Sequence, residues 1–125
     1  MNRHQLRECA MTCLYQYFLF GNRDIKDIVA SNINSNQIDP FLYTITIDAI
    51  KYKDHYIKRI NEVLRDDWEY DRLGYVERAI LLIAACELDF EIAQKPIVID
   101  EAVTLAKRYC DEDTYKLING VLDRL

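Results

Sequence analysis

The residues with the clearest chemical potential lie together on the first predicted helix. Four of them share one flank, within about 80° of each other around the helix axis: His4, Arg7, Met11 and Tyr15. Arg3 lies beside that flank. Exposed cations contact phosphates and an aromatic ring stacks on unpaired bases, so the group is typical of an RNA contact. An ordinary solvated helix face explains the same pattern, and the residues alone leave both interpretations open.

Metal binding and catalysis find little support elsewhere in the chain. Cys9 and Cys13 are spaced to share a metal, but no third ligand is placed to complete the set. The acidic run 66–71 around Trp68 lacks the central glycine and the terminal glutamate of a calcium loop. No nucleophile–base pair, phosphate loop or dinucleotide fingerprint appears. We therefore expect a protein that is not an enzyme and needs neither metal nor cofactor.

Net charge by itself argues against nucleic acid. The 125 residues carry 16 Lys and Arg against 21 Asp and Glu, a net charge of −5, whereas phosphate neutralisation supplies most nonspecific affinity. RNA contact would need a local basic patch or a basic partner. No apolar run approaches the roughly 20 residues of a membrane span. Without a secretory signal, and with cysteines that lack a disulfide framework, we expect a cytoplasmic protein without membrane contact.

Apolar residues recur at helical period along most of the chain. The first helix has an inward stripe consisting of Leu6, Cys9, Ala10, Cys13, Leu14 and Tyr17. Gly21 is placed to end it, and Asp24 to cap a short second helix. A polar loop, 32–37, precedes Asp39-Pro40, a signal for a third helix start. Residues 44–47 could pass for a strand, but their flanks favour a helix.

The second half of the chain contains the predicted centre of the fold. Residues 79–86 are apolar on every side, which predicts a helix buried all round. Pro96 opens the next helix, whose inward face is predicted to hold Val98, Ala102, Leu105, Ala106 and Tyr109. Asp113 can cap a last helix with a stripe of Ile118, Val121, Leu122 and Leu125. Gly120 is interpreted as allowing close helix–helix approach. The prediction is one all-α domain, residues 1–125, a bundle of about six to seven helices.

Four blocks of sequence carry a resemblance to a known family. The first joins RECA at 7–10 with LYQ at 14–16. The others are RLGYVERAILLIAACEL at 72–88, IDEAVTLAK at 99–107 and KLINGVLD at 116–123. Each block is weak alone, but in this order and with these gaps they resemble the NusB family of bacterial transcription antitermination factors. The resemblance covers most of the chain.

The resemblance implies a factor that works by recognition. It would bind the boxA element of nascent ribosomal RNA together with NusE, a small-subunit ribosomal protein, and join elongating RNA polymerase with other Nus factors. Because NusB proteins hold RNA with an arginine-rich N-terminal segment, the resemblance favours RNA binding by Arg3, His4, Arg7 and Tyr15. It also places Asp113 and Lys116 near the RNA, and Tyr15 and Glu77 on the surface that contacts NusE.

Simpler accounts and two alternatives stay open. A favourable interaction with the helix dipole is enough to explain a glutamate at position 77. Helix capping is enough to explain Asp113. The family's arginine cluster is reduced to Arg3 and Arg7, so we expect weak RNA binding that depends on NusE. Leu82 stands where many relatives carry arginine. The alternatives are an RNA-presenting domain of a ribosomal RNA cytosine methyltransferase, whose chains continue for hundreds of residues, and a structural homodimer with weakened RNA binding.

Overall fold

The computed structural model describes residues 1–125 and contains helices and turns without any strand. The α-helices are α1 (Arg3–Phe20), α2 (Ile25–Ile33), α3 (Pro40–Tyr43), α4 (Ala49–Lys51), α5 (Lys53–Val63), α6 (Tyr75–Asp89), α7 (Lys95–Tyr109) and α8 (Thr114–Arg124). A π-helical turn, Thr44–Asp48, joins α3 to α4, and a 3-10 turn, Tyr70–Arg72, precedes α6. With α3 and α4 counted as one continuous segment there are seven helices. The predicted all-α bundle is confirmed.

The early helix boundaries follow local capping chemistry. Asn2 and Gln5 form a reciprocal capping box at the start of α1, with N–H to side-chain oxygen distances of 2.8 and 2.9 Å. Gly21 ends α1 in the left-handed conformation at φ 75°, which a side chain would disfavour. Asp24 caps α2 and Asp39 caps α3, both as predicted. The helix α2 extends to Ile33, slightly into the predicted polar loop.

Helix α6 lies at the centre of the bundle, as its apolar circumference predicts. Every residue from 79 to 86 is buried. Helix α6 contacts α1, α5, α7 and α8. It runs antiparallel to α1, because Arg7 near the start of α1 meets Glu87 near the end of α6, while Tyr15 meets Tyr75. This crossing places the end of α6 beside the first turns of α1 and the start of α6 beside Tyr15. None of the helices is both long enough and apolar enough to cross a membrane.

Leu125, the last residue of the predicted α8 stripe, is partly buried and packs against the core. Two expectations about packing are wrong. Tyr109 is 42% exposed, because its hydroxyl donates to Glu8 on α1 instead of entering the core. Gly120 does not mediate a close helix–helix approach, since a Cβ there would have only the Arg124 guanidinium within 4.0 Å. The 44–47 segment is helical as expected, but as the π turn, where the Thr46 hydroxyl donates to the Leu42 carbonyl at 2.6 Å.

Candidate functional site

Arg7 is buried, so the expectation that it projects from an exposed flank is wrong. Its Nε–H donates to Glu87 Oε2 at 2.9 Å and its Nη2–H to Glu87 Oε1 at 2.7 Å. Arg7 is 4% exposed and Glu87 1% exposed. Burial opposes the charge, but the bonds and the attraction of Glu87 and Glu101 outweigh it and raise the pKa of Arg7. Met11, on the same predicted flank, is buried as well.

His4 is placed between two carboxylates at the start of α1. Its Nδ1 lies 3.1 Å from Glu101 Oε2, and its Nε2 lies 3.3 Å from Glu8 Oε1. Glu101 on α7 also approaches Arg7, at 3.8 Å. These contacts tie the first turns of α1 to α7 and, through Arg7, to α6. His4 remains partly exposed, so it can still meet a ligand at the surface.

Arg3 is the N-terminal arginine that the fold leaves exposed. Its guanidinium carbon lies 4.5 Å from the centroid of the Phe41 ring on α3, and that of Arg7 lies 5.2 Å from the same centroid. Stacking on an aromatic ring orients the planar guanidinium while leaving its N–H groups free. No carboxylate pairs with Arg3. Any phosphate contact by the N-terminal arginines therefore depends on Arg3.

The fold adds a basic turn that the sequence analysis missed. Arg108 at the end of α7 lies 3.2 Å from Glu8 through Nη1, and Lys107 Nζ lies 4.7 Å from the centroid of the Tyr115 ring. Hydrogen bonding from Tyr109, with Arg108 nearby, lowers the pKa of Glu8. The adjacent cations at 107 and 108 were a visible sequence signal, but only tertiary packing brings Arg108 beside α1, while Lys107 faces Tyr115 on α8. We call Arg3, His4 and Arg108 the basic patch.

Tyr15 belongs to a different surface from Arg3. Its ring meets Tyr75 edge-on with centroids 6.1 Å apart, and Phe18 lies 6.2 Å from Tyr75. The guanidinium of Arg78 lies 5.1 Å from the centroid of the Tyr75 ring. Twelve residues separate Arg3 from Tyr15, about 18 Å along the helix at 1.5 Å per residue. We call Tyr15, Phe18 and Tyr75 the aromatic surface, and it suits a protein partner with apolar side chains.

Glu77 lies in the first turn of α6, two residues after Tyr75, and is partly buried. Its carboxylate folds back over Gly74, where an added Cβ would collide with it. Burial and the neighbouring Glu77 together raise the pKa of Cys110 to about 12. Glu77 thus connects the start of α6 with the end of α7. These contacts support a structural role for Glu77 at the start of α6. Part of its carboxylate is still accessible.

Asp113 and Lys116 are both exposed at the start of α8. Asp113 occupies the position before the helix, but its side chain makes no capping hydrogen bond, so capping does not account for it. Its Oδ1 instead lies 3.3 Å from Lys116 Nζ. An exposed pair of this kind contributes little stability. Both side chains are accessible to a ligand.

Comparison with known proteins supports the resemblance over nearly the whole chain. The model of the NusB family matches residues 4–125. A relative named transcription antitermination protein NusB, from a Nitratiruptor species, is 34% identical over 126 residues, covering 98% of this chain and 90% of the relative.

Solved structures agree with the sequence comparison. The structure of T. maritima NusB has a TM-score of 0.83 at 26% identity, covering 99% of this chain and 89% of that one. A crystal structure of the antitermination factors NusB and NusE in complex with dsRNA has a TM-score of 0.81 at 28% identity, covering 98% of this chain and 96% of that one.

Proposed function

This chain belongs to the NusB family, and on that premise we propose that it binds boxA RNA of nascent ribosomal RNA together with NusE and joins the antitermination complex on elongating RNA polymerase. The observation that carries the proposal is the near-complete match to the NusB of the solved NusB–NusE–dsRNA complex. Its relatives are named as transcription antitermination proteins, which agrees with a recognition factor that is not an enzyme.

The basic patch supports a modest RNA-binding role. Arg3 is exposed, free of ion pairs and oriented by Phe41. The other cations are partly neutralised, since Glu8 and Glu101 lie within 3.3 Å of His4 or Arg108. With a net charge of −5, long-range attraction of RNA is small. The positive field that strengthens the complex would come from the partner protein.

The aromatic surface supports protein binding by Tyr15 and Glu77. Tyr15 and Tyr75 are each 37% exposed, and their rings contact each other. Rigid tyrosines of this kind are enriched at the energetic centres of interfaces. Glu77 lies two residues after Tyr75 in the first turn of α6, and we infer that its accessible part lies at the edge of the partner surface. We therefore propose that the aromatic surface makes the apolar contacts with NusE and that the Glu77 carboxylate orients NusE on this surface.

RNA binding is expected to depend on one N-terminal arginine. Arg3→Ala should reduce the affinity of the protein–NusE complex for boxA RNA and flatten its salt dependence by about one unit, because one phosphate contact contributes roughly one unit. Fluorescence anisotropy of labelled RNA over a series of salt concentrations measures both. Lys58→Ala on α5 removes the same charge away from the basic patch and should leave both unchanged. Equal salt slopes for Arg3→Ala and wild type would place the RNA elsewhere.

Reversing the charge of Glu77 is expected to weaken NusE binding. Glu77→Lys should raise the dissociation constant about tenfold, or ~1.4 kcal/mol, because it places a cation beside Arg78 at the edge of the partner surface. Isothermal titration calorimetry with purified NusE measures this value. Glu62→Lys on α5 is the matched charge reversal and should bind as wild type does. Unchanged affinity for Glu77→Lys at unchanged melting temperature would remove Glu77 from the partner surface.

One experiment tests the whole proposal. The protein is captured from native lysate, and the associated proteins and RNA are identified by mass spectrometry and sequencing. We expect NusE, subunits of RNA polymerase and ribosomal RNA leader sequences containing boxA. Recovery of the protein without NusE and without leader RNA contradicts the proposal.

A further inference from the structure

A groove of about 640 Å³ runs along the outer face of α8. One wall is α8 itself, from Asp113 to Arg124, and the other is the turn after α5 that carries Arg65 and Trp68. It is larger in volume than the other main cavities of the molecule and lies open to solvent. Asp113 and Lys116, both proposed RNA contacts, lie at one end of it. The groove thus extends from a proposed RNA-binding position into a region with no assigned role.

Gly120 lines this groove and has no structural reason to be glycine. Its φ lies outside the left-handed region, and a Cβ there would meet nothing closer than the Arg124 guanidinium, at 4.0 Å. Glycine inside a helix is destabilising relative to alanine because the unfolded chain is more flexible. A side chain at this position would project into the groove. The glycine therefore keeps the groove open at the expense of helix stability.

Trp68 is the single tryptophan of the chain and is 41% exposed. Its backbone N–H donates to the Arg65 carbonyl at 2.9 Å, which closes a tight turn and places both residues on the same wall. An indole of this size is usually covered in a folded protein. An exposed indole beside cations is a suitable platform for stacking a nucleic-acid base.

The charged groups of the groove are suited to a nucleotide. Three cations line it, Arg65, Lys116 and Arg124, against the carboxylates of Asp113 and Asp123. Arg65 pairs with no carboxylate. Arg124 is oriented by donating Nε–H to the Gly120 carbonyl at 3.1 Å. Arginine N–H groups bind phosphate oxygens. Carboxylates accept hydrogen bonds from the amino groups of bases, as in protein contacts to cytosine.

We propose that the α8 groove binds a nucleotide of single-stranded RNA, with the base stacked on Trp68, the phosphates held by Arg65 and Arg124, and an amino group of the base donating to Asp123. The proposal rests on the RNA-binding function above and extends its site beyond Asp113 and Lys116. A base that is paired in a duplex cannot stack in this way, so the groove selects unpaired RNA.

The single tryptophan gives a direct test. A single-stranded oligocytidylate decamer and a boxA RNA are each titrated into the full chain at low salt. The anisotropy of the labelled RNA is recorded with and without NusE. Tryptophan fluorescence is recorded without NusE. We expect quenching that saturates together with the anisotropy of labelled RNA. A duplex of the same length should quench less. Polyglutamate serves as the acidic-peptide probe, and quenching by polyglutamate with none by RNA would overturn the proposal.

Groove variants separate stacking from folding. Gly120→Leu should fill the groove and weaken RNA binding about tenfold, the effect of losing one stacked base, without lowering the melting temperature. Trp68→Ala should weaken binding at least fivefold, whereas Trp68→Phe retains most of the affinity. Arg65→Gln with Arg124→Gln should flatten the salt slope by about two units. Arg23→Gln, an exposed arginine outside the groove, is the matched control.

The two proposals fail in different ways. If labelled RNA does not bind even with NusE, the proposed function itself fails. If RNA binds and responds to Arg3→Ala, while Trp68 fluorescence and the affinities of the groove variants are unchanged, the proposed function stands and the groove proposal is overturned. A melting temperature lowered by Gly120→Leu would also contradict it, because the glycine would then have a packing role.

Discussion

Replacement of Arg7 by alanine is expected to lower the free energy of unfolding by about 3–5 kcal/mol, the range for breaking a buried ion pair by removing one partner. The substitution leaves the Glu87 carboxylate, which is 1% exposed, without its two hydrogen bonds. Glu101, the other carboxylate near Arg7, carries the same sign of charge and cannot compensate.

Chemical denaturation followed by circular dichroism measures this loss. Arg3→Ala is the matched control, because Arg3 stacks on the same Phe41 ring but is exposed, and it should change stability by less than about 0.5 kcal/mol. Arg7→Met combined with Glu87→Leu should recover most of the stability, since an apolar pair can replace a buried ion pair. A loss below about 1 kcal/mol for Arg7→Ala would show that Arg7 and Glu87 are hydrated in solution.

Truncation of Ile83 to alanine is expected to destabilise the protein by about 2–5 kcal/mol, the range for a large core residue. Ile83 lies in the middle of α6 and is 3% exposed, with buried neighbours on both sides along the helix. The remaining core closes over the cavity only in part, because α6 is held by helices on several sides.

Ile97→Ala on α7 is the control for the core truncation. It deletes the same atoms from an isoleucine that is 49% exposed, and it should change stability by less than about 1 kcal/mol. The free energies of unfolding of both variants and of wild type are measured by urea denaturation and compared with the same dependence on urea concentration. Similar losses for the two would mean that α6 is peripheral and that the bundle is assembled differently.

Local signals predicted most of the helices because the forces that begin and end helices act within a few residues. Asp24 and Asp39 cap the helices that follow them, and Gly21 ends α1. Periodicity identified the buried segment 79–86 since an all-apolar helix has no face to present to water. Residues 44–47 carry no local signal for the π turn, which packs against α1, α2 and α6.

Predictions for the candidate site were less complete, since they depended on which face of a helix its neighbours cover. Tyr15 is exposed as expected, while Arg7 and Met11 on the same predicted flank are buried. Charge is a poor guide to exposure here, because a carboxylate 80 residues away satisfies the hydrogen bonds of the buried Arg7. The roles of Arg3, His4, Asp113, Lys116 and Glu77 remain predictions.

The sequence by itself determined the helical fold, the central position of α6 and the family, because periodicity, capping residues and the order of the four blocks are properties of the chain alone. Only the tertiary structure decided which cations are available. It paired Arg7 with Glu87, left Arg3 exposed on Phe41, and brought Arg108 beside Glu8. It also showed that Gly120 faces a groove with Trp68. The physical reason is that burial and charge pairing are set by contacts between residues far apart in sequence, which no local pattern encodes.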